Sequence, residues 1–344
     1  MTRKNLIFIY PKRFTFIETE IKLLHNDFKL ISLDQRWNSK WLLPFNLIYQ
    51  FFFLLFNIFR ADCILVSFAG YWSLLPAIFG KLFKKNLFII LHGTDCVKFF
   101  DINYGNLRSP ITSFFIKHSL KLSKLLLPVS ESLMFTKNTY YNEKSIELGV
   151  MHHFPDIQTP YKVVPNGLLL DDWNRIPGIE RSPDSFVTVM NEKQIQRKGL
   201  DLIIEVAKLK PDCSFYCAGL DIKNKTIPKN IFFLGRLSPK ELKRLYSRSQ
   251  FYLQLSNFEG FGVAICEAML CECIPIVSDV NFLPEIIGDS GFVLEKRNKK
   301  LLVELIDDAL NSDITSLEKN SRSRIVNNFS SDKRREMLNN ILLD

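Results

Sequence analysis

The segment SNFEGFGVAICEAMLCECIPIVSD, residues 256–279, decides the fold prediction. It follows an apolar run, FYLQLS at 251–256, and ends in a second one, IPIVSD at 274–279. Between the two runs, a glycine-rich turn leads into residues with helical periodicity that begins near Phe261. A strand, a turn, a helix and a further strand form the repeating unit of a parallel sheet. The segment therefore predicts an α/β fold.

The same alternation extends along the whole chain. Further strand candidates are found at 5–10, 28–33, 63–68, 86–92, 124–130, 185–190, 213–219 and 230–235. Helical patterns separate them, for example at 199–210 and at 238–250, where Ser238 and Pro239 favour a helix start. Ten strands are more than one sheet usually contains. The pattern predicts two doubly wound, Rossmann-like domains facing across a cleft.

The break in this pattern falls at Pro165-Asn166-Gly167. We therefore predict a first Rossmann-like domain at 1–165 and a second at 166–325. A C-terminal helix, 326–344, is predicted to cross back toward the first domain. Because ligands of such sheets bind at the carboxyl ends of the strands, we expect the site in the cleft.

The composition is that of a globular protein, with 344 residues, 47% hydrophobic and 24% charged. The first residues lack a secretory signal pattern. The seven cysteines, an odd number, predict reduced thiols in a cytoplasmic protein. The pair Cys271 and Cys273 has no matching Cys or His pair at zinc-binding spacing, so no metal site is predicted.

The charge is unevenly distributed. Residues 1–166 contain 20 Lys and Arg against 11 Asp and Glu, whereas the remainder contains 25 of each. A positive field over one half favours an anionic partner such as a phospholipid surface or a lipid-linked phosphate, although it can also serve solubility alone. The chain lacks the helix-turn-helix, base-stacking and zinc-knuckle motifs of nucleic-acid readers, so no nucleic acid is predicted as a partner.

An apolar segment at 41–59, WLLPFNLIYQFFFLLFNIF, has nearly the length of a membrane span. Pro44, Asn46, Gln50 and Asn57 interrupt it, which disfavours a spanning helix. Two interpretations remain open: a buried crossover helix of the first domain, or a helix that presents aromatic side chains to a membrane surface.

The start of the helix near Phe261 is suited to an anion. A helix N-terminus has unsatisfied N–H groups and a partial positive charge. Because Gly260 and Gly262 lack side chains, a diphosphate could approach the amides of Phe261, Gly262 and Val263. Glu267, one turn beyond Val263, could accept hydrogen bonds from ribose hydroxyls, and Glu259 would face the group on the other phosphate. The spacing predicts a nucleotide diphospho-sugar site.

A second strand-to-helix transition carries two lysines. Lys193 and Lys198 follow the strand candidate at 185–190, and Gly199 opens the next helix. Two cations at a second helix start would complete a diphosphate clamp and stabilise the leaving group. The intervening Arg197 is predicted to point elsewhere.

These residues resemble family 4 of the retaining glycosyltransferases, which have the GT-B fold. EGFGVAICEAM, IPIVSD and LPEIIGDSGFVL resemble its donor-binding block, where Glu259 and Glu267 match a Glu-x7-Glu motif. RKGLDLIIE matches its Lys-Gly helix start at Lys198, and VVPNGLLLDDW, TFIETEIKLL and LHGTD resemble further family segments. The resemblance covers nearly the whole chain.

The resemblance implies metal-independent transfer of a sugar to a hydroxyl acceptor with retention of configuration. Together with the arguments above, it assigns these roles: Glu259, Lys198 and His92 are catalytic; Lys193, Phe261, Gly262, Val263, Glu267, Arg236 and Leu237 bind the donor; Asp95 lies on the acceptor side. Lys12 and Arg13, on the first loop, could grip an acceptor phosphate on that side or be solvated charges. No cofactor is implied, because the nucleotide sugar, UDP- or GDP-linked, is a substrate.

The implied acceptor is a sugar or a polyprenyl-diphosphate-linked sugar, in synthesis of bacterial lipopolysaccharide, O-antigen, capsule or glycolipid. The enzyme would then be cytoplasmic and peripherally attached, through its basic half, to the inner face of the plasma membrane. Two alternatives stay open: a sugar-nucleotide epimerase or hydrolase of the same fold, and a catalytically silent relative that only binds nucleotide sugars.

The sequence departs from the family pattern at three places. Lys193 stands where the family has an arginine, which keeps the charge but loses a two-pronged donor. A glycine common after the second glutamate is displaced, with Glu272 in its neighbourhood. YPKRFTF, at 10–16, replaces a glycine-rich loop after the first strand.

Overall fold

A computed structural model describes residues 3–35, 37, 39–222 and 227–343. The chain forms two compact units. The first unit contains residues 1–136, 147–166 and 331–344, and the second contains residues 137–146 and 167–330. Each unit is built around one parallel β-sheet.

The strands coincide with the runs identified in the sequence, and the structure adds three short ones, β6, β7 and β13. In chain order they are β1 (Asn5–Tyr10), β2 (Lys29–Asp34), β3 (Cys63–Ser67), β4 (Asn86–Leu91), β5 (Leu125–Pro128), β6 (Thr136–Asn138), β7 (Ile146–Leu148), β8 (Ser182–Val189), β9 (Ser214–Ala218), β10 (Ile231–Phe233), β11 (Ser249–Gln254), β12 (Ile274–Ser278) and β13 (Phe292–Leu294). The prediction of two α/β units with parallel sheets is confirmed.

Helices alternate with these strands along the chain. In chain order they are α1 (Thr15–His25), α2 (Leu43–Asn57), α3 (Tyr71–Leu82), α4 (Pro110–Leu122), α5 (Val150–His153), α6 (Leu200–Leu209), α7 (Pro239–Arg248), α8 (Val263–Leu270), α9 (Leu283–Ile287), α10 (Lys299–Leu310), α11 (Ile314–Asn328) and α12 (Ser331–Leu342). The predicted start of α7 is confirmed: the Ser238 hydroxyl accepts from the Glu241 N–H at 3.3 Å, and the Glu241 carboxylate accepts from the Ser238 N–H at 2.8 Å.

The two main sheets have the strand orders of doubly wound folds. The first is ordered β2-β1-β3-β4-β5 and the second β10-β9-β8-β11-β12-β13. In each sheet the chain reverses its direction of growth at one point, between β1 and β3 or between β8 and β11. The crevice at the carboxyl ends of two such strands is where open α/β sheets bind ligands.

The central strands are apolar on both faces, because helices cover both sides of a parallel sheet. Every residue of β3 and of β12 is buried, as is every residue of β1 after Asn5. All seven cysteines are buried free thiols. The burial of these runs explains why they read as continuous hydrophobic stretches in the sequence.

Residues 137–146 belong to the second unit, although the predicted boundary placed them in the first domain. Asn138 explains this position: its side-chain amide donates to the Asn257 carbonyl at 2.7 Å. The Asn138 side-chain oxygen accepts from the N–H groups of Tyr140 and Tyr141, each at 3.1 Å. These side-chain hydrogen bonds cannot be inferred from composition or periodicity.

The C-terminal helix α12 lies in the first unit. Its Arg334 is buried and donates from Nε to the carboxylate of Glu20 on α1 at 2.8 Å. Arg334 also donates from Nη1 to the carbonyls of Val164 and Pro165, each at 2.7 Å. Arg335 adds a two-pronged ion pair to Asp27. Helix α12 is therefore an integral part of the first unit.

Candidate functional site in the second unit

The candidate site lies where β8 and β11 neighbour each other in the second sheet. Lys198 follows the carboxyl end of β8, and Glu259 follows the carboxyl end of β11. Two motifs that are separated by 61 residues in the sequence therefore meet at the reversal point of one sheet. This is the position at which open α/β sheets bind ligands.

Gly199 brings these two loops together. Its φ of 68° is left-handed, and a Cβ atom there would lie 2.4 Å from the Leu255 carbonyl oxygen. Only glycine lets the start of α6 approach the end of β11 so closely. The N–H of Asn257 also donates to the Arg197 carbonyl at 2.7 Å. Arg197 and Lys198 are thereby held beside the turn that carries Glu259.

The Glu259 carboxylate is bound inside the second unit. Its Oε2 accepts from Arg197 Nη1 at 2.8 Å, from Gln254 Nε2 at 2.8 Å and from the Ser256 hydroxyl at 3.1 Å. Burial opposes its ionised form, but the charges of Arg197 and Lys198 outweigh that effect and hold the pKa of Glu259 below its usual range. Glu259 is therefore a fixed anion with one carboxylate oxygen committed to these donors.

Arg197 was predicted to point elsewhere, and the structure corrects this. Its guanidinium is buried and donates from Nη1 to the Phe258 carbonyl at 2.9 Å as well as to Glu259. A buried guanidinium requires an anionic partner, and Glu259 provides it. The only signal in the sequence is the position of Arg197 next to Lys198, which does not specify its direction.

Lys198 is buried, with 8% of its surface exposed. Its Nζ donates to the Val189 carbonyl at the end of β8, at 2.8 Å. Burial lowers the pKa of Lys198 to about 8, against the attraction of Glu259 and Glu267 and together with repulsion from Arg197. An ammonium has three N–H donors, and within the described ranges Val189 is the one hydrogen-bond acceptor found for it. An anion brought to this position would complete its coordination.

Glu267 lies on α8, one turn beyond Val263. Burial raises the pKa of Glu267 to about 8, and the charge of Lys198 offsets this only in part. At neutral pH the side chain of Glu267 is therefore protonated in most of the molecules. No hydrogen-bond partner of this side chain is found in the portion of the chain that is described. A protonated carboxyl both donates and accepts, which suits a pair of neighbouring hydroxyls.

Helix α8 begins at Val263, two residues later than the sequence suggested, because Gly262 has a left-handed φ of 109° and ends the turn. For the N–H groups of Phe261, Gly262 and Val263, no acceptor is found among the described residues. These are the unsatisfied donors that any helix start presents. The Phe261 ring itself is buried against Phe282 and Phe329. Only its backbone is free to meet a ligand.

Three other residues that were predicted to bind the sugar donor lie outside this buried group. Lys193 and Arg236 are exposed, and Leu237 is half-buried. Among the described residues, neither cation has a side-chain partner. The structure thus separates Lys193 from the buried group formed by Arg197, Lys198 and Glu259. The roles of Lys193, Arg236 and Leu237 stay predictions.

Asn281 is a site residue that the sequence did not reveal. Its side-chain oxygen accepts from the Glu259 N–H at 3.0 Å. Its φ of 53° is left-handed, a conformation that asparagine tolerates better than most residues. An asparagine in a loop after a strand gives no signal of this contact. Asn281 fixes the turn on which Glu259 stands.

The predicted residues of the first unit

His92 lies at the carboxyl end of β4, beside the end of β3. A hydrogen bond of 2.9 Å joins its Nε2 to the Ser67 hydroxyl. Its ring packs on Phe68 and Phe16, with centroid separations of 4.2 and 5.1 Å. Burial, and then the charge of Arg334, lower the pKa of His92 well below its usual value. The imidazole is therefore neutral at physiological pH.

Asp95 was predicted on the acceptor side, and the structure places it in the first unit with its carboxylate already bound by the backbone. Its carboxylate is fully buried and accepts backbone N–H groups from Ala69, His92 and Gly93, at 2.9, 3.1 and 2.9 Å. Such saturation leaves little capacity for a ligand. Asp95 holds the loop after β4 to the loop after β3, and so positions His92.

Lys12 and Arg13 are exposed after β1, as expected for groups that meet an acceptor. Lys12 Nζ lies 5.8 Å from the centroid of the Phe14 ring. Arg13 pairs with Asp34 at 2.9 Å, an exposed contact that contributes little to stability. Their acceptor role stays a prediction. Among the residues that the structure describes, no group of three His, Cys, Asp or Glu side chains is placed to hold a metal ion.

Similarity to known proteins

Residues 173–330 match the family described as glycosyl transferases group 1. O-antigen chain mannosyltransferase B of Escherichia coli is 38% identical over 65 residues, covering 19% of this chain and 17% of that protein. Alpha-galactosylglucosyldiacylglycerol synthase of Streptococcus pneumoniae is 26% identical over 205 residues, 53% and 52% of the two chains. N-acetyl-alpha-D-glucosaminyl L-malate synthase of Bacillus anthracis is 27% identical over 223 residues, 60% and 53%. The chain thus spans about half, or less, of the length of these relatives.

Solved structures resemble the chain over nearly its whole length. Sucrose-phosphate synthase from Thermosynechococcus elongatus has a TM-score of 0.72 at 13% identity, with 98% of each chain covered. HepE of Anabaena, in complex with UDP and glucose, has a TM-score of 0.68 at 13% identity, with 100% of both chains covered. WaaG, a glycosyltransferase involved in lipopolysaccharide biosynthesis, has a TM-score of 0.67 at 15% identity, with 98% and 99% covered. The chain therefore has the GT-B fold, and most of its second unit is similar to the glycosyl transferases of group 1.

Proposed function

We propose that the protein transfers a sugar from a nucleotide diphospho-sugar to a hydroxyl group of an acceptor. One observation carries the proposal: the buried Lys198 lies at the reversal point of the second sheet, near the fixed anion Glu259 and near Glu267, an acid without a hydrogen-bond partner among the described residues. The match to the group 1 glycosyl transferases over residues 173–330 supports it. So does the shared fold with HepE, whose structure contains UDP and glucose.

The charges favour a diphosphate as the ligand. A buried lysine whose pKa is lowered to about 8 gains stability when an anion arrives, because the anion replaces the lost hydration. The free N–H groups at the start of α8 provide further donors for phosphate oxygens. Glu267 follows them by one turn and would hold the ribose hydroxyls. A nucleoside diphosphate laid across the helix start would meet Lys198 and the amides with its phosphates and Glu267 with its ribose.

Glu259 would face the sugar. Arg197 and Lys198 keep it ionised, so that its remaining lone pairs can accept hydrogen bonds from sugar hydroxyls and orient the reacting carbon. When the sugar–phosphate bond breaks, negative charge grows on the inner phosphate. A preorganised donor such as Lys198 can lower the barrier by about 3 kcal/mol. The leaving phosphate would take the proton of the acceptor hydroxyl.

Retention of configuration and independence of a divalent metal belong to the same proposal. Lys198 and the amides of α8 could neutralise the diphosphate in place of a cation. The anomeric configuration of the product, read by NMR before mutarotation, tests retention. Transfer that persists in the presence of a chelator tests independence of metal.

The acceptor is proposed to be a sugar on a lipid carrier, such as a polyprenyl diphosphate, in bacterial surface polysaccharide or glycolipid synthesis at the cytoplasmic membrane face. Two of the relatives support this choice by name, an O-antigen chain mannosyltransferase and an alpha-galactosylglucosyldiacylglycerol synthase. The exposed Lys12 and Arg13, at the edge of the first sheet, would then meet the acceptor phosphates.

The decisive experiment has two stages. Thermal unfolding with UDP-, GDP-, ADP- and CMP-sugars identifies the donor, since a ligand that binds only the folded state raises Tm. Sugar release is then measured with and without lipid-linked acceptors. Transfer to an acceptor supports the proposal. Turnover of the donor to free sugar or its epimer in the absence of acceptor would select an epimerase or hydrolase, and binding with no turnover would select a silent relative.

A further inference from the structure

Helix α2 has its apolar face turned toward solvent. Phe45, Ile48, Tyr49, Phe52 and Phe56 recur at the spacing of one helix face, and each is 50–71% exposed. We call these five residues the outer face. In most surface helices such a stripe faces the core. Trp41, 89% exposed, and Phe59, 69% exposed, extend the outer face at its two ends.

The opposite side of α2 is packed firmly on the first unit. Gln50 and Leu54 are fully buried, and Gln50 Nε2 donates to the Trp72 carbonyl on α3 at 2.9 Å. Phe51 meets Phe79 edge-on, with ring centroids 5.4 Å apart. The exposure of the outer face is thus not the result of a loose helix. The sequence left open a buried crossover helix or a helix that presents aromatic side chains to a membrane surface. In the structure, one side of α2 is buried and the other is exposed.

Cations border the outer face. The Phe59 and Phe83 rings pack edge-on at 5.1 Å, which places the end of α3 beside the end of α2. Arg60, Lys81 and Lys84 are exposed near this contact. Residues 41–94 contain four Lys or Arg and one acidic residue, Asp62, whose carboxylate accepts from the Asn5 N–H at 2.7 Å. The apolar surface therefore has a positive border.

We propose that the outer face and its basic border form a docking surface for an anionic lipid bilayer. Aromatic side chains prefer the region of the lipid headgroups, and exposed cations attract acidic headgroups. At 1.5 Å per residue, α2 is about 22 Å long, shorter than the ~30 Å hydrocarbon core, and would lie along the surface. No helix among the described residues is long and apolar enough to cross a membrane.

The test is flotation of the full chain with lipid vesicles. One set contains phosphatidylcholine alone and the other contains phosphatidylcholine with phosphatidylglycerol. Wild type is expected to float with the anionic vesicles, less so at high salt. The triple variant Phe45→Ser/Phe52→Ser/Phe56→Ser is expected to bind them about tenfold more weakly. Since these side chains are exposed, its Tm should not fall.

The matched control removes three exposed apolar side chains from the second unit, Leu209→Ser/Phe232→Ser/Leu301→Ser. It should float like wild type. A second variant, Lys81→Glu/Lys84→Glu, should lose binding to anionic vesicles without unfolding. The readout requires no enzymatic activity, so it is independent of the proposed sugar transfer.

Three outcomes would overturn the proposal. Wild type could fail to float with either kind of vesicle. The triple variant and the control could float equally. Light scattering could find a dimer that the triple variant dissociates while vesicles bind neither protein, in which case a second copy of the chain covers the outer face.

Discussion

The carboxyl edges of the two sheets differ in chemistry. In the second unit, Arg197, Lys198 and Glu259 bring three charges together in a largely buried group. In the first unit, the neutral ring of His92 packs against Phe68 and bonds to a hydroxyl. Two sheets of similar strand order thus carry different side-chain chemistry at the edge where open α/β sheets bind ligands.

The two halves of the sequence also show that net charge does not indicate where charged side chains are buried. The excess of nine positive charges lies within residues 1–166, yet its site candidates Lys12 and Arg13 are exposed to solvent. The half with equal numbers of acidic and basic residues contains the buried cations. Burial reduces screening and strengthens each charge. The net charge of a segment therefore indicates a charged surface, whereas the burial of individual charged side chains indicates a binding site.

The largest expected effect comes from Lys198. Lys198→Met removes the buried cation and should lower kcat at least about a hundredfold, because charge on the leaving phosphate loses its donor. Steady-state kinetics with the identified donor measure this. Lys193→Met is the matched control, since Lys193 is an exposed lysine on the same loop, and it should cost less than about tenfold. Equal losses in the two variants would contradict the division between buried and exposed cations.

The same lysine gives a pH dependence. The pKa of Lys198 lies at about 8 in the folded protein, so its charge is present below that pH and is lost above it. We expect kcat/KM, which reports the free enzyme, to fall as pH rises through about 8. Because Glu267 also has a pKa of about 8, the flat profile over this range is expected for the double variant Lys198→Arg/Glu267→Gln, which lacks both titrating groups. A wild-type profile that stays level beyond pH 10 would argue against the role of Lys198.

Arg197 and Glu259 should behave as one unit. Arg197→Met leaves a largely buried carboxylate without its cation and should lower the free energy of unfolding by about 3 kcal/mol. Because burial then acts with less opposition, the pKa of Glu259 should rise and the acid limb of kcat/KM should move to higher pH. The double variant Arg197→Met/Glu259→Gln should be more stable than the sum of the single changes implies. Additive losses in denaturant unfolding would show that the pair is not coupled.

His92 tests the first unit. His92→Gln should lower kcat/KM by about tenfold, the value of one hydrogen bond, and leave the pH profile between 6 and 8 unchanged. The reason is that the imidazole is already neutral there. His152→Gln provides a control at an exposed histidine that pairs with Glu147. If the activity instead depended on the protonation of His92 near pH 6.5, the carboxyl edge of the first sheet would carry a charge as that of the second sheet does.

The smallest effect concerns Glu267 and stability. Its folded pKa of about 8 lies above its unfolded value near 4.5. A raised folded pKa contributes stability that is present below about pH 4.5 and is lost as pH rises through about 8. Glu267→Gln should therefore gain stability relative to wild type as pH rises from about 5 to about 8, and the difference in Tm should stay constant above that pH. Thermal unfolding between pH 5 and 9 measures this, and a constant difference in Tm across the range would refute it.

Much of the second unit's site followed from local rules. Glycines, a helix start and two glutamates eight residues apart predicted where a nucleotide sugar could bind, and the structure places Lys198 and Glu259 at the reversal point of the sheet. The direction of Arg197 and the contact of Asn281 did not follow, because both depend on a partner that is distant in the sequence. The occupied carboxylate of Asp95 did not follow either, because it combines the near N–H groups of His92 and Gly93 with that of Ala69, 26 residues away.

The amino-acid order alone was enough to predict the alternation of strands and helices, the two parallel sheets and the glycine turns. The patterns that indicate them lie within a few neighbouring residues. Only the tertiary structure decided which side chains are buried together. It paired Arg197 with Glu259, saturated Asp95, and turned the apolar face of α2 outward. The physical reason is that the pKa values, hydrogen bonds and exposure of a side chain depend on everything packed around it, and packing joins residues that the linear order keeps apart.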